Sequence, residues 1–400
     1  MSELSWIERS DKVFMQTYSR FPVVMVEGSG AILKDENGRN YLDFLSGIAV
    51  CSLGHNHPAV TKAICGQAAK LVHVSNLYYT KPQTILAEML ASASFADRVF
   101  FANSGAEANE AAIKLARKHS PTGRYEIITL QGSFHGRTLA TVAATGQPKF
   151  HQGFEPLPEG FLSVPFGDIS AMEEAVSDKT CAIMIEPLQG EGGVRPLARD
   201  YLAAIRALCD QKKLLLIFDE VQVGMGRTGS LFAYQQLGVI PDIMTLAKAL
   251  GNGLPIGAML AREEVAAAFT AGTHASTFGG NPVACAAAVA TMQVMQQEGF
   301  LAEVLEKGAY LKDRLAELQG RYPSVVEAVR GMGLIQGLVL TEAARVQGIE
   351  IVNRLFQEGI LANFAGGLAL RFLPPLIISR QEIDIMIDAL DGVLQNLESR

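Results

Sequence analysis

The sequence predicts an α/β fold in which a large, mostly parallel sheet is joined to a smaller α+β domain. The chain of 400 residues is 49% hydrophobic and 19% charged, which allows a large core and excludes a disordered chain. From about residue 58, short apolar runs alternate with helical stretches, as in parallel strands covered by helices on both faces. After residue 281, long helices and short strands predominate.

The spacing of the apolar residues predicts the elements in order. The first 20 residues are predicted as a helix, and short extended pieces follow at 23–26, 31–34 and 41–45. Further helices are predicted at 58–71, 83–93, 105–118, 168–177 and 199–212. The nearly continuous apolar runs between them lie at 98–102, 126–130, 181–185, 214–218 and 243–247. The C-terminal third predicts helices at 281–297, 300–319 and 380–397, with strands within 325–340 and at 368–372.

These elements divide the chain into three segments. Residues 58–281 are predicted as the large α/β domain, and residues 282–400 as the small α+β domain. Residues 1–57 are predicted as an N-terminal segment that joins the small domain.

The composition argues against several classes of partner and site. A net charge of −7 disfavours a nucleic-acid binder. The five cysteines are odd in number and contain no C-x-x-C pair, which disfavours a disulfide framework and favours a reducing cytosol. The longest mostly apolar stretch, 282–295, is too short to span a bilayer. We therefore expect a cytoplasmic protein without a membrane anchor.

Four stretches rich in polar residues or glycine follow apolar runs, at the strand ends where open parallel sheets bind ligands. The first is Asn103-Ser104-Gly105-Ala106-Glu107. It has two interpretations. Ser104 and Glu107 can cap the following helix, or the stretch can cradle a phosphate with free backbone N–H groups at the positive helix end.

Two acids, Asp219 and Glu220, end the run 214–218. A buried carboxylate needs a cation or hydrogen-bond donors. If Asp219 is buried, an arginine, a metal or a protonated cofactor nitrogen is therefore expected beside it. The alternative is that both acids lie in water at the strand end.

Lys248 lies in an apolar stretch just before the loop Gly251-Asn252-Gly253. Shielding from water favours the neutral amine, which can attack a carbonyl carbon and form a Schiff base. The alternative is a surface lysine with a buried stem.

The fourth stretch places Phe134, His135 and Arg137 among glycines after the run 126–130. An aromatic ring and an arginine can clamp a planar group and an anion. An ordinary exposed turn would have the same composition.

Two further motifs are interpreted as structural. Gly224, Gly226 and Gly229 match G-x-G-x-x-G, but polar residues separate them from the apolar run, so we do not expect a dinucleotide site. His55 and His57 form an H-x-H pair, which alone does not predict a metal. No metal is expected.

Eight stretches together resemble the class III, ornithine-type aminotransferases, which use pyridoxal 5′-phosphate (PLP). They occur in the family's order over nearly the whole chain: LDFLSGIAVCSLGHNHP, FFANSGAEANEAAIKLAR, GSFHGRT, IEPLQGEGGV, LLIFDEVQVGMGRTG, LAKALGNGLPIGAM, STFGGNP and RGMGLIQG. The resemblance implies fold type I of the PLP-dependent transferases. Within the family, the chain is most similar to the acetylornithine aminotransferases, notably through GIAV at 47–50.

The resemblance implies roles for the cofactor-binding residues. Lys248 matches the Schiff-base lysine, and Asp219 matches the acid that pairs with the pyridinium nitrogen. Ser104, Gly105 and Ala106 match the phosphate-binding turn, where the family often has threonine at the position of Ala106.

Further cofactor contacts are implied in the same way. Phe134 and Val221 match the residues on the two faces of the ring, and Gln222 matches the residue near the ring hydroxyl. Thr277 matches a threonine that reaches the phosphate of the neighbouring subunit's cofactor. This match implies a homodimer with shared active sites.

The resemblance also implies the substrate contacts. Arg371 matches the arginine that binds a carboxylate of 2-oxoglutarate, and Glu191 matches the glutamate that masks it in the other half-reaction. Arg137 is similar to the arginine that takes the substrate's other carboxylate, and Tyr18 is expected at the substrate entrance.

The activity implied is transfer of the terminal amino group of N2-acetyl-L-ornithine to 2-oxoglutarate, in arginine biosynthesis. The products are N-acetylglutamate 5-semialdehyde and L-glutamate, and Lys248 moves the proton. Succinylornithine, ornithine, 4-aminobutyrate and aminoadipate-semialdehyde aminotransferases share the cofactor residues and stay open as alternatives. Glutamate-semialdehyde aminomutase is a further alternative. From other classes, a dinucleotide-dependent oxidoreductase and a non-catalytic binding or regulatory protein that kept the fold stay open.

Overall fold

The predicted α/β class is confirmed by the computed structural model, which describes residues 3–398. The helices are α1 Glu3–Val13, α2 Ser46–Ala49, α3 Pro58–Ala68, α4 Lys81–Ala93, α5 Gly105–His119, α6 Leu139–Ala144, α7 Ile169–Ala175, α8 Arg199–Lys212, α9 Ala233–Leu237, α10 Glu263–Ala266, α11 Pro282–Met295, α12 Phe300–Arg321, α13 Gly348–Gln357 and α14 Arg380–Glu398. Short 3-10 helices lie at Pro148–Phe150, Lys248–Leu250 and Arg345–Gln347.

The strands fall into sheets of very different size. They are β1 Met25–Ser29, β2 Ile32–Asp35, β3 Asn40–Asp43, β4 Arg98–Ala102, β5 Glu126–Leu130, β6 Phe161–Val164, β7 Thr180–Ile185, β8 Leu188–Gln189, β9 Arg195–Pro196, β10 Leu215–Asp219, β11 Ile243–Leu246, β12 Gly257–Ala261, β13 Val326–Met332, β14 Ile335–Leu340, β15 Ile360–Leu361, β16 Asn363–Ala365 and β17 Ala369–Phe372.

The large sheet has the strand order β4-β12-β11-β10-β7-β5-β6 in the part of the chain that the structure describes. The pairs from β11 to β6 are parallel, and β12 runs antiparallel to both of its neighbours. Every residue of β7, β10, β11 and β12 is buried, as expected for strands covered on both faces. The carboxyl ends of β10 and β11 therefore lie side by side at one edge of the sheet.

The C-terminal third builds a second, antiparallel sheet of order β13-β14-β17-β16. The N-terminal strands β1, β2 and β3 form a third sheet that continues into β15 through a parallel pair. This pairing ties the N-terminal strands to the C-terminal third. The domain boundaries at 57 and 281 stay predictions, and residues 1–2 and 399–400 lie outside the described part.

Several elements differ from the sequence-based prediction, and three of them are instructive. The helix predicted over the first 20 residues ends at Val13, and the apolar residues that follow are exposed, so nothing packs a longer helix in this chain. Strand β12 was not predicted because GAMLA contains no β-branched or aromatic residue. Its two neighbouring strands bury it nevertheless. Helix α13 was also not predicted, although its apolar residues follow a helical period.

The segment α2 is a left-handed turn rather than an ordinary helix. The φ angles of Ser46, Ile48 and Ala49 are 50°, 64° and 60°, a conformation that costs free energy for L-residues with a Cβ. Asp43 Oδ1 stabilises the turn by accepting the Ser46 N–H at 2.8 Å. The turn leads directly to Val50, which lines a cavity at the carboxyl ends of β10 and β11.

Arg227, within the G-x-G-x-x-G stretch, is fully buried and joins distant parts of the chain. Its Nη1 donates to the Leu334 carbonyl at 3.0 Å, and its Nη2 donates to Ser52 Oγ at 2.9 Å. Burial lowers the pKa of Arg227 to about 9. Residues 221–228 form turns rather than a strand-to-helix connection, so the dinucleotide interpretation stays rejected and the stretch is structural.

Within residues 3–398, the structure contains no helix with the length and apolar character that a membrane crossing requires. The histidines of the H-x-H pair belong to no group of metal ligands among these residues. His55 Nε2 instead lies 2.7 Å from Oδ2 of Asp43, which is buried. The hydrogen bond with Asp43, followed by a contact with Cys51, raises the pKa of His55 to about 9.

The raised pKa makes the stability contributed by His55 depend on pH. It is fully present below the ordinary histidine pKa of about 6.5 and is lost as the pH rises through about 9. We expect His55→Gln to lower the free energy of unfolding by about 1 kcal/mol at pH 6, a value that allows for solvent screening. The loss should shrink towards pH 9.5. Urea-induced unfolding at both pH values measures it.

His57→Gln is the matched control, because burial lowers the pKa of His57. Its effect should not shrink as the pH rises. An equal loss for His55→Gln at pH 6 and pH 9.5 would contradict the assignment of the pair.

Candidate active site

A cavity of about 400 Å³ lies at the carboxyl ends of the central strands. Most of the residues that the sequence singled out line it: Ser104, Gly105, Ala106, Phe134, Arg137, Glu191, Asp219, Val221, Gln222 and Lys248. The cavity forms because β4, β5, β7, β10 and β11 end at the same edge of the sheet, where loops from distant parts of the sequence meet.

Asp219, the last residue of β10, is a carboxylate held by several donors. It is 3% exposed. Its Oδ2 accepts the side-chain N–H of Asn109 at 2.8 Å. His135 Nδ1 lies 2.8 Å from the same oxygen and donates to it, because an ionised carboxylate can only accept. The other carboxylate oxygen of Asp219, Oδ1, accepts the Val221 N–H at 3.0 Å. The carboxylate is thus buried, fixed and directed into the cavity.

Glu220 points away from the cavity and caps α9. Its carboxylate oxygens accept the backbone N–H groups of Ala233 and Tyr234 at 2.6 and 2.8 Å. Burial raises the pKa of Glu220 to about 7, although these hydrogen bonds oppose the shift. The interpretation of both acids as a solvated strand end is wrong, because side chains alternate along a strand and each acid finds its own buried partners.

Lys248 follows β11 and begins a 3-10 helix with a φ of 45°. Its side chain lines the cavity, so the surface-lysine interpretation is wrong. Burial lowers the pKa of Lys248, and the charges of Glu191 and Asp219 oppose the shift. A larger fraction of this amine is therefore neutral at ordinary pH than for a lysine in water.

The turn before α5 combines both interpretations of the stretch that follows β4. Ser104 Oγ accepts the Glu107 N–H at 3.2 Å, and Glu107 Oε2 accepts the Asn103 N–H at 2.7 Å. The helix is therefore capped, yet its first residues also face the cavity. Gly105 has no room for a side chain, since a Cβ there would lie 2.7 Å from a methyl of Val221.

Phe134 and Arg137 form one wall of the cavity. Phe134 packs edge-on against Phe150, with ring centroids 5.7 Å apart. The Arg137 guanidinium lies 4.1 Å from the Phe150 centroid and 5.5 Å from that of Phe134. Among residues 3–398, no carboxylate forms an ion pair with Arg137, so its charge is available to an anionic ligand.

Arg371, on β17, lies behind Glu191 rather than on the cavity surface. It is fully buried, and its Nη1 lies 2.6 Å from Glu191 Oε1 and 3.1 Å from Gln222 Oε1. Burial opposes ionisation of Glu191, but the charge and hydrogen bond of Arg371 outweigh it and lower the pKa of Glu191. Glu191 therefore covers the arginine in this structure.

Besides Arg371, two predicted site residues lie outside the cavity of the single chain. Thr277 lines a separate pocket with His73 and Phe278, and Tyr18 is 71% exposed after the end of α1. The structure brings neither residue to Lys248. Their predicted roles stay predictions.

The sequence analysis missed Asn109 and Glu186. Asn109 is a buried polar residue on α5, one turn after Gly105, and its Oδ1 accepts the Thr245 hydroxyl at 2.7 Å. Glu186 directly follows β7, as Asp219 ends β10, so the same strand-end signal could have found it. Burial, followed by the charge of Asp219, raises the pKa of Glu186 well above its usual value.

The residues of the cavity fit PLP. A buried carboxylate suits a protonated ring nitrogen. The start of α5 suits a phosphate. A phenylalanine and a valine can enclose a planar ring, and a lysine with a lowered pKa suits a carbonyl carbon.

Comparison with known proteins agrees with this chemistry. The family model of class-III aminotransferases matches residues 13–394. Acetylornithine aminotransferase of Methanocaldococcus jannaschii is 51% identical over 402 residues, which cover 100% of both chains.

Solved structures show the same likeness. N-acetylornithine aminotransferase from Stenotrophomonas maltophilia K279a has a TM-score of 0.84 at 40% identity, and the match covers 98% of this chain and 99% of that one. An ornithine aminotransferase from Toxoplasma gondii, with PLP partially occupying its active site, has a TM-score of 0.94 at 34% identity. That match covers 100% of this chain and 96% of that one.

We expect Asn109→Ala to lower the free energy of unfolding by about 2–3 kcal/mol. The change removes a donor from the buried Asp219 carboxylate and leaves the hydroxyl of Thr245 without its acceptor. Urea-induced unfolding measures the loss. Asn396→Ala, at an exposed helix position of α14, is the control and should change stability by less than about 0.5 kcal/mol. Equal losses of stability in the two variants would contradict the importance of the hydrogen bonds that Asn109 forms with Asp219 and Thr245.

Proposed function

The chain belongs to the class-III aminotransferases, and we propose that it transfers the terminal amino group of N2-acetyl-L-ornithine to 2-oxoglutarate. The products are N-acetylglutamate 5-semialdehyde and L-glutamate. One observation carries the proposal: Asp219, Lys248 and the Glu191–Arg371 pair meet at one cavity. They do so in a chain that is 51% identical, over its whole length, to a relative named acetylornithine aminotransferase.

PLP is the cofactor of this family, and when bound it supplies an electron sink for the substrate carbon that loses a proton. We assign Asp219 to the ring nitrogen, and the turn Ser104, Gly105 and Ala106 to the phosphate. The backbone N–H groups at the start of α5 and the positive end of its dipole favour an anion there.

The remaining cofactor contacts are assigned to residues around the ring. Phe134 and Val221 enclose its two faces, and Gln222 lies near the ring hydroxyl. Thr277 reaches the phosphate of the neighbouring subunit. Thr277 lines a separate pocket of the single chain rather than its own cavity, as a residue that serves the cavity of a second chain would.

Lys248 acts as the acid and base of the reaction. The lowered pKa of its side chain favours a neutral Nζ, which accepts the proton from the substrate carbon and returns it to the cofactor side. The burial that lowers the pKa also excludes water from the proton transfer. A single group can therefore serve both directions of the reaction.

Arg137 and Arg371 divide the substrate carboxylates between them. Arg137 binds the α-carboxylate of N-acetylornithine, which lies far from the reacting amine, and Tyr18 lines the entrance. Arg371 binds the carboxylate of 2-oxoglutarate beside its reacting carbon. Glu191 covers Arg371 while the amine donor, which has no carboxylate there, occupies the cavity.

We further propose a homodimer with shared active sites, which acts in arginine biosynthesis in the cytoplasm. The exposed side chains of Leu77, Tyr78, Tyr79 and Phe278 form an apolar surface near the pocket of Thr277, and a second copy of the chain would cover it. The five cysteines are all free thiols, as a reducing compartment favours.

Lys248→Ala should lower kcat with N-acetylornithine and 2-oxoglutarate by roughly 1,000-fold or more. Borohydride treatment of the yellow wild-type protein should link the cofactor covalently to the peptide that contains Lys248, and mass spectrometry detects this product. Lys312→Ala, on the exposed face of α12, is the control and should retain both properties. A colourless wild-type protein, or an active Lys248→Ala variant, would overturn the proposal.

N-acetylornithine should exceed ornithine in kcat/KM by about 10-fold or more, which corresponds to about 1.4 kcal/mol. The free α-ammonium of ornithine brings a second positive charge close to Arg137, and acetylation removes that charge. Steady-state kinetics with N-acetylornithine, succinylornithine, ornithine and 4-aminobutyrate test the preference. A clear preference for 4-aminobutyrate would refute the choice of donor but not the transaminase activity.

A further inference from the structure

The loop that carries Glu191 rests on one row of the C-terminal sheet. Arg330 of β13 is paired with Gly337 of β14, which is paired with Arg371 of β17. Arg371 is paired in turn with Asn363 of β16. Directly paired residues project from the same face of a sheet. Arg330 and Arg371 therefore stand in one row, with a glycine between them.

Two residues of the loop are held by the arginines of this row. Glu191 Oε1 lies 2.6 Å from Arg371 Nη1. Two residues later, the carbonyl of Gly193 accepts both Nε and Nη2 of Arg330, at 2.9 and 2.6 Å. One guanidinium thus holds the loop's backbone while the other holds its carboxylate.

The loop is seated by direct contact between these two points. Val194 is fully buried and has a φ of 54°, which a β-branched residue adopts only where its surroundings impose it. A Cβ at Gly337 would lie 2.8 Å from the Cβ of Val194. The loop therefore occupies the space that the missing side chain of Gly337 leaves on the row.

The contact between Glu191 and Arg371 uses only part of the guanidinium. Nη1 serves both Glu191 and Gln222, and Nε donates to Asn363. Nη2 is buried and has no partner among the described residues. A carboxylate bound by two nitrogens is held more strongly than one bound by a single nitrogen. The occupancy of this contact therefore depends on how firmly the loop is held.

We propose that Arg330 is a positioning residue for Glu191. By holding the Gly193 carbonyl, it keeps Glu191 on Arg371 and sets the preference between substrates with and without a carboxylate beside the reacting carbon. The inference rests on the proposed function, which gives Arg371 its role as the carboxylate site.

Loss of Arg330 should change the affinity for the two substrate classes in opposite directions. Glutamate carries a carboxylate beside its reacting carbon, and this carboxylate competes with Glu191 for Arg371. When Glu191 is held less firmly, glutamate should bind more tightly. A donor that reacts at a terminal amine leaves Arg371 buried without a partner. A general loss of folding would instead weaken the binding of both substrate classes.

The test measures binding of glutarate, a five-carbon dicarboxylate that cannot be transaminated, to the cofactor-loaded protein by calorimetry. Arg330→Met should bind glutarate about 3- to 10-fold more tightly than the wild type. Its ratio of kcat/KM for N-acetylornithine to kcat/KM for glutamate should fall about 10-fold. Arg330→Lys should restore part of the ratio, because an ammonium can make one of the two hydrogen bonds.

Arg345→Met is the matched control. Arg345 donates to the Leu340 carbonyl and to Glu327 rather than to the loop, so glutarate affinity should not change. Gly337→Ala should loosen the same loop through a different contact, because its added methyl group would displace Val194. It should shift glutarate affinity in the same direction as Arg330→Met.

A double-variant experiment decides whether Arg330 acts through Glu191. In a Glu191→Ala background, Arg330→Met should change glutarate affinity no further. An unchanged or weaker affinity for glutarate in Arg330→Met, or an equal shift in the Glu191→Ala background, would overturn the inference. Because glutarate binding needs no turnover, these outcomes are distinct from a failure of the proposed donor, which the kinetic panel reports.

Discussion

The burial of one carboxylate, Asp219, is the constraint on which the rest of the site depends. A charge at the end of a buried strand is tolerated only with donors or a cation beside it. Asn109, His135 and the backbone of Val221 supply donors to it. Helix α5 and the loop after β5 must therefore meet at β10. The cavity that they enclose has a fixed negative group at its base, suited to a cationic ring.

The C-terminal sheet supplies the second arginine of the site. Arg371 of β17 lies behind the cavity wall, and Glu191, from the loop after β8, contacts it from the cavity side. The positive charge of Arg371 is thus neutralised by Glu191, which comes from a distant part of the chain. Under the proposed function, opening and closing of this ion pair lets one cavity accept in turn a donor without a carboxylate at its reacting carbon and a substrate with one. The loop that carries Glu191 is fixed beside this pair by Val194, which is fully buried and has a positive φ.

The sequence singled out most of the residues that line the cavity, but fewer of the helices, strands and buried partners around them. Lys248 and Asp219 were found because each stands at the end of an apolar run, a signal that is local in the chain. Asn109 was missed because nothing in the local sequence shows that this helical residue faces the end of β10, where it donates to Asp219. Strand β12 was missed because its sequence has no strand propensity of its own, and its burial by β4 and β11 decides its conformation.

The sequence by itself determined the fold class and the family, and it singled out most of the residues that line the cavity, because residue type and local spacing carry this information. Only the tertiary structure decided that Asp219 faces the cavity while Glu220 caps a helix. It also decided that Arg227 joins the segments of Ser52 and Leu334, and that Arg330 and Arg371 lie in one row of the C-terminal sheet. These features depend on which faces of distant elements pack together, and neither residue type nor spacing along the chain specifies that packing.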